Sequence, residues 1–373
     1  MKKLLPILFV LIITSCSKEV PSDQVVERQG IYYEINSDTP FSGTLVNYHP
    51  NGQKLSFFNM KKGKLHGMGE SYYDNGQLKF KGNYKDGQKH GLHEDYHEND
   101  QLKSKRNFKD GEQYGLSEYW YRNGQLVSKY NFQDGQRHGP SEYYHENGEL
   151  QSKGNWKDGE LHGPTVGYYE NGQLESKGNW KDGKFDGLQE DYYLNGNLEK
   201  KHNFKDGEQH GLLEYYYENG QLKTSENWKD GEQHGLMEEY RGNGQLKSKD
   251  NYQDGQLHGL SERYNYLVHE KGFLEFKINY KDGQLHGLYE GYHSNGQLSF
   301  SENYKDGNKD GLYLSYYDTG QLRRKHYNKD GLKNGPEERY SQNGELETTR
   351  YFKNGRVETM QEQYRRFRSK VQE

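Results

Sequence analysis

Hydrophobic and polar residues alternate with period two along most of this chain, and glycines close each run, so the pattern predicts strands joined by tight turns. One strand of each unit carries an aromatic five residues after its opening glycine, as at Tyr72, Tyr96, Trp120, Tyr144, Tyr168, Tyr192, Tyr216 and Tyr240. The following strand opens on an unbroken leucine column, from Leu78, Leu102 and Leu126 through Leu322 and Leu346. Six residues beyond each leucine stands another aromatic, as Tyr84, Phe108, Trp156 and Trp228, failing only at Asn328.

The glycines set the period. Asn-Gly pairs at Gly52, Gly76, Gly124, Gly148, Gly172, Gly196, Gly220 and Gly244 are spaced by 24 or 48, with Asp100 where the skipped glycine belongs. A four-residue insertion around Tyr266-Leu267-Val268-His269 delays the next to Gly272. A second glycine follows eleven residues after each, as in Asp86-Gly87, and a third, usually preceded by His, four residues later, as in His90-Gly91. A two-residue Asn75-Gly76 loop would send Tyr72 and Leu78 to opposite faces. A three-residue Asp74-Asn75-Gly76 loop, a type I turn with glycine in the left-handed region, sets Tyr72 opposite Leu78 and is therefore preferred. The face so defined, with the tyrosine, leucine and second aromatic columns and with Glu70 and its equivalents, is expected to be buried. The lysine and asparagine columns, Lys81 and Asn83 onward, are expected on the other face.

The expected fold is all-β: an elongated, twisted antiparallel meander of tandem 24-residue hairpins, on the order of 120 Å long at ~4.8 Å per strand. Residues 16–24 read as a tether, 25–50 as an N-terminal capping hairpin, 51–355 as the array, and 356–373 as a helical cap, because Val357, Met360, Tyr364, Phe367 and Val371 follow helical spacing. Units such as Tyr168-Tyr169-Glu170-Asn171-Gly172-Gln173-Leu174 through Lys181-Asp182-Gly183 resemble the MORN-repeat variant of YwqK-family antitoxin-like proteins. That resemblance, over roughly residues 30–355, implies an elongated antiparallel sheet used for binding.

The N-terminus departs from the pattern. Lys2 and Lys3, the apolar run Leu4 to Ile13 and Ile13-Thr14-Ser15-Cys16 resemble a bacterial lipobox, which implies removal of residues 1–15 and a lipid on Cys16, the only cysteine. A plain secretory signal with a spare cysteine is the alternative. Ser17 after the cysteine resembles the sorting pattern for the outer membrane of diderm bacteria, so the expected location is the cell envelope. The formal charge of -5 loses two lysines on cleavage, and an acidic exported chain is a poor nucleic-acid candidate. Hydrophobic and charged residues are 29% each, yet 35 Tyr and 14 Phe argue against disorder and for thin sheets with wet faces.

Chemistry is sparse. The His-Gly histidines recur at two-strand steps of about 9.6 Å, too far apart to share a metal. Their replacement by Tyr114, Asp186, Asp310 and Asn334 fits a turn position. Ten equivalent glutamates, from Glu70 to Glu338, describe a lattice rather than the distinct acid and base of a hydrolase, and no nucleophile or phosphate motif appears. No enzyme, cofactor or metal is expected. Two candidate binding rows remain: Lys81, Lys105, Lys129, Lys153 and Lys177, a solvated face or a ladder for a polyanion; and Tyr73, Tyr121, Tyr169, Tyr193 and Tyr217, expected to point outward for stacking on sugars or anchoring a protein. The reading is a non-enzymatic, membrane-anchored scaffold binding a protein partner. The alternatives are an envelope glycan or peptidoglycan binder and an immunity-type protein neutralising a toxin.

Overall fold

The computed structural model describes residues 18–266 and 272–371, with side chains through Arg365 in the final helix. The expected signal segment, Cys16, Ser17, Leu267 to His269, and the side chains of Phe367 and Val371 lie outside the described residues. Two compact units divide the chain, one ending at Gln173 and the other beginning at Leu174. In the first, strands follow one another antiparallel from Gly43–Tyr48 to Gly163–Tyr168; in the second, from Leu174–Lys181 to Leu346–Lys353. The all-β meander of hairpins is thus the architecture of each.

The turns form where the glycines stand. Tyr73 N–H donates to Gln77 O at 2.9 Å and Gly76 N–H to Tyr73 O at 2.9 Å, closing the three-residue loop with Gly76 at φ +81° and Tyr72 opposite Leu78. Asp86 and Gly87, at φ 52° and 90°, make the two-residue turn between Lys85 and Gln88, where two positive φ values match the twist of the flanking strands. Gly91, at φ +79°, lies where the register slips between Gly82 and Tyr84.

The assignment of faces needs correction. Immediately beyond the loop the register shifts again: Tyr72 pairs with Leu78, but Ser71 pairs with Phe80. Lys79 is extra, and a one-residue bulge exchanges the faces of every residue after it. Glu70 therefore lies opposite Lys81 rather than behind it, and Lys81 lies opposite Glu94. The tyrosine, glutamate, lysine and asparagine columns share one face, which we call the constant face. Phe80, Gly82 and Tyr84 share the other with Ser71 and Gly69, the variable face, because its residues change from repeat to repeat.

The variable face is the more closely packed of the two. On it lie His93, Ser104, Phe108, Ser117, Ser128 and Ser141 in the first unit and His202, Leu213, Asp250, Ser261, Glu302 and Glu337 in the second, all nearly inaccessible. The constant face leaves Leu116, Leu188, Leu212, Leu236 and Leu260 about two-fifths exposed. A single layer has no opposing sheet to fill its gaps, so it packs by setting small residues beside rings. A Cβ on Gly82 would meet Phe80 at 2.6 Å and the His93 ring at 2.5 Å, and one on Gly154 would meet the Thr165 methyl at 3.0 Å.

Both ends differ from expectation. Glu19–Pro21, expected in a tether, is a strand pairing parallel with Thr44 to Val46, and Val20 joins Phe41 and Met60 in a small apolar cluster. Burial of a valine that water would otherwise surround holds this segment in place. Within residues 25–50 only Val25–Arg28 and Ile31–Glu34 form the separate hairpin; Gly43–Tyr48 is already the first strand of the meander. At the other end Arg356 and Val357 pair with Lys353 and Phe352, so the helix is Met360–Val371 rather than starting at 356. Thr359 caps it: its N–H and hydroxyl donate to Glu362 Oε2 at 2.7 and 2.8 Å, and Glu362 N–H donates back to Thr359 Oγ1 at 3.4 Å. Met360 and Tyr364, two residues of the expected apolar stripe, are largely exposed.

Candidate binding face

The two rows expected to bind are committed within the protein. On the constant face lysines stand between two directly opposed glutamates, as Glu94–Lys105–Glu118 and Glu118–Lys129–Glu142, whereas Lys153 stands between Glu142 and Val166. Lys129 reaches Glu142 at 2.8 Å, Lys177 reaches Glu190 at 2.5 Å and Lys249 reaches Glu238 at 2.9 Å. Tyrosine two residues along the strand donates to the same carboxylate, at 2.8 Å for Tyr192–Glu190 and 2.9 Å for Tyr240–Glu238. The bond from Lys129, then that from Tyr144, holds the Glu142 carboxyl below the usual range. Burial and the bond to Glu238 push the Tyr240 phenol up to about 12. Lys81 and Lys105 occupy the same doubly opposed positions, and Lys153 faces a glutamate on one side only. Alternating charge along the ladder cancels the field a polyanion would follow.

The tyrosine row does not point outward. Tyr73 Oη donates to Tyr96 O at 2.8 Å, Tyr121 to Tyr144 O at 3.1 Å, Tyr193 to Tyr216 O at 2.8 Å and Tyr217 to Tyr240 O at 3.0 Å, each reaching 23 residues forward into the next hairpin. These rings, and that of Tyr169, are half-buried. Where histidine replaces tyrosine its Nε2 takes the same carbonyl, at 3.0 Å for His97 with Trp120 and 2.9 Å for His145 with Tyr168. The variation in this row is therefore two solutions to one bond. Arg241, before the insertion, instead covers the Tyr266 ring at 5.0 Å.

Two further rows staple neighbouring repeats, and sequence reading missed both. Asparagines of the Asn-Gly loop accept the N–H two residues on and donate to the next loop, as Asn123 to Glu146 O at 3.1 Å and Asn195 to Glu218 O at 2.9 Å. The His-Gly histidines meet the aspartate of the next Asp-Gly turn, His66–Asp86 at 3.3 Å and His286–Asp306 at 3.2 Å. The exact 24-residue recurrence was the signal, since a side chain that must reach the adjacent copy recurs with it.

What remains unassigned to construction is the variable face. In the first unit Arg137 covers the rings of Tyr130 at 4.3 Å and Trp156 at 4.8 Å and donates to Tyr143 Oη at 2.9 Å. Arg106 pairs with Asp95 at 2.5 Å beside His93, which lies among Phe80, Tyr84 and Phe108. In the second unit Asp250 takes Ser261 at 2.7 Å and Arg263 at 2.8 Å, and Lys309 reaches Glu302 at 3.0 Å. Rings and charges of different kinds thus follow one another at successive hairpins.

A frame of interchangeable hairpins, stapled on one face and varied on the other, defines a tandem repeat protein. The chain belongs to the MORN repeat variant family, whose model matches residues 65–86, 89–110, 113–134, 137–158, 161–182, 185–206, 209–230, 233–254, 285–306, 309–329 and 333–354. No curated protein matches it. Among solved structures, TcdB2-TccC3 is 14% identical over 85% of this chain and 19% of its own, with a TM-score of 0.17. The Tc holotoxin pore of Photorhabdus luminescens is 13% identical over 90% of this chain and 21% of its own, with a TM-score of 0.18. The chain spans about a fifth of those toxin chains, and likenesses at this level carry no statement about its fold or role.

Proposed function

We propose that this chain is a non-enzymatic repeat scaffold, held at the cell envelope through a lipid on Cys16, that binds a protein partner with its variable face. The observation that carries the reading is the division of labour between faces: the constant face and the turns repeat one set of bonds through much of the array, while the variable face changes its rings and charges. A surface read by a protein needs a different contact at each point, whereas a uniform polymer would be met by a uniform row. Most of the lysine row is opposed by glutamates, which favours a protein partner over a polyanion. A photo-crosslinking residue placed at Tyr143 or Arg324 on the variable face, or at Leu116 or Leu236 on the constant face, tests this in intact cells. The expected result is one partner captured from the variable-face positions only, and lost in Cys16→Ala. Capture from the constant face alone would overturn the assignment; a toxin as the captured partner would make the role one of neutralisation.

A further inference from the structure

The second unit holds a cavity of about 500 Å³ on the variable face, lined by Lys200, His202, Phe204, Gln209, Tyr215 and Trp228 among others. That lies in the size range of small-ligand sites, roughly 300–1,000 Å³. His202 is 5% exposed, yet neither of its ring nitrogens has a hydrogen-bond partner. The closest charged group, Asp191 Oδ2, is 3.8 Å from Nε2, beyond bonding distance. Buried polar atoms are almost always paired, and leaving one unpaired costs about 1–3 kcal/mol, so an open pair of nitrogens beside a cavity marks a place where something else completes the bonds.

The lining states what that is. Burial pushes the His202 imidazole down to about 4, so at neutral pH the ring is uncharged and offers one donor and one acceptor, the complement of a hydroxyl. Phe204 packs on the His202 ring at 4.5 Å, and Trp228 and Tyr215 add apolar ring surface. Trp228 Nε1 donates to Glu226 Oε2 at 3.1 Å and Gln233 Nε2 to the same oxygen at 3.0 Å, which leaves the other carboxylate oxygen of this lining residue as an acceptor. Lys200, its ammonium 5.2 Å from the centre of the Tyr215 ring, balances that charge. A lining with balanced charge, ring surface and scattered donors and acceptors suits a ligand with an apolar C–H face and a rim of hydroxyls. We propose that this cavity binds a single pyranose unit, with Trp228 and Phe204 against its C–H face and His202, Gln209, Lys200 and Glu226 at its hydroxyls. Both His202 nitrogens are buried, so a sugar bonds them only when the side chains around them shift. The site goes beyond the protein-partner reading and stands without it, because it occupies one position of the array rather than a track along it.

The full chain, in detergent, is titrated with methyl glucoside, methyl galactoside, methyl mannoside and N-acetylglucosamine, followed by calorimetry and by the ¹⁵N shifts of the His202 imidazole. The expected result is saturable binding of at least one pyranoside that moves the His202 signals. Lys200→Met, which alters a half-buried rim side chain and leaves the packing in place, and Trp228→Leu each weaken it about tenfold or more. Lys249→Met, on the constant face, leaves it unchanged. No binding of any of the four sugars, binding indifferent to Lys200→Met and Trp228→Leu, or preference for N-acetylglycinamide over every sugar would each overturn the proposal. Crosslinking from Tyr143 reports separately on the protein partner.

Discussion

The tyrosine hydroxyl is one of the bonds that tie a hairpin to the next, and its worth is measurable. Tyr193→Phe removes the bond to Tyr216 O and keeps the ring, so a loss of about 1 kcal/mol is expected in urea unfolding. Tyr193→His, which supplies the donor seen at His145, restores most of it. Buried histidines give a second residue-level prediction. His202 and His326 are both pushed down to about 4 by burial. The unfolded chain binds their protons first as pH falls, so their contribution to stability is full above about pH 6.5 and is lost between there and about 4. The urea midpoint is expected to fall across that window, and less steeply in His326→Phe; an unchanged slope would locate the loss elsewhere. The tyrosine row shows what a sequence can and cannot display at this scale. Its recurrence was plain, but whether a ring points to water or to the next backbone depends on the lateral position of a strand 23 residues ahead.

At the level of the hairpin, turn chemistry was legible and the register beyond it was not. Asp74-Asn75-Gly76 requires left-handed glycine, and that need is visible in residue types. The extra residue at Lys79 has no such mark: Leu78 and Lys79 are ordinary strand residues, and one uncounted position exchanged both faces. Small residues on the variable face were the available clue, since Gly69, Gly82 and Gly154 would be wasteful on a solvated surface and make sense only where rings need room. Gly154→Val, whose added atoms meet Thr165, is expected to cost about 1–3 kcal/mol by overpacking. Glycine in an exposed strand position would accept valine with a gain, so the sign of the change in thermal midpoint identifies the buried face. The helix start was legible in principle, because Thr359-Met360-Gln361-Glu362 is a capping box; helical spacing alone extended the element back to Arg356. Thr359→Ala is expected to lower helix content measured by amide exchange over Met360–Val371, with the meander unaffected.

At the scale of the molecule, contacts run between neighbouring repeats, so stability accumulates along an array rather than around one centre. Deleting residues 209–232, one full period, is expected to leave a cooperatively folding chain with a smaller urea m-value, because Tyr193 then meets the carbonyl of Tyr240 in place of that of Tyr216. Deleting 209–231 puts every later staple one residue out of step and is expected to abolish that cooperativity. The alternation of Glu and Lys on the constant face predicts little response to salt, since exposed pairs contribute about 0–1 kcal/mol each. The period, the strands and the family resemblance were all readable without coordinates because they depend on local chemistry. The binding face was not, because it is defined by what the staples leave over.

The staples of the tyrosine row, and of the histidines that replace tyrosine in it, point one way: the donor belongs to the earlier repeat and the acceptor carbonyl to the later one. As a chain emerges from a ribosome or a translocation channel, each new hairpin therefore arrives as the lock for a key already waiting, and the growing end always carries one unanswered donor. At the last hairpin the position is Ser341, whose hydroxyl turns back to Glu345 O at 3.3 Å within its own loop. The array thereby carries its own stop signal: a repeat that asks nothing of a successor.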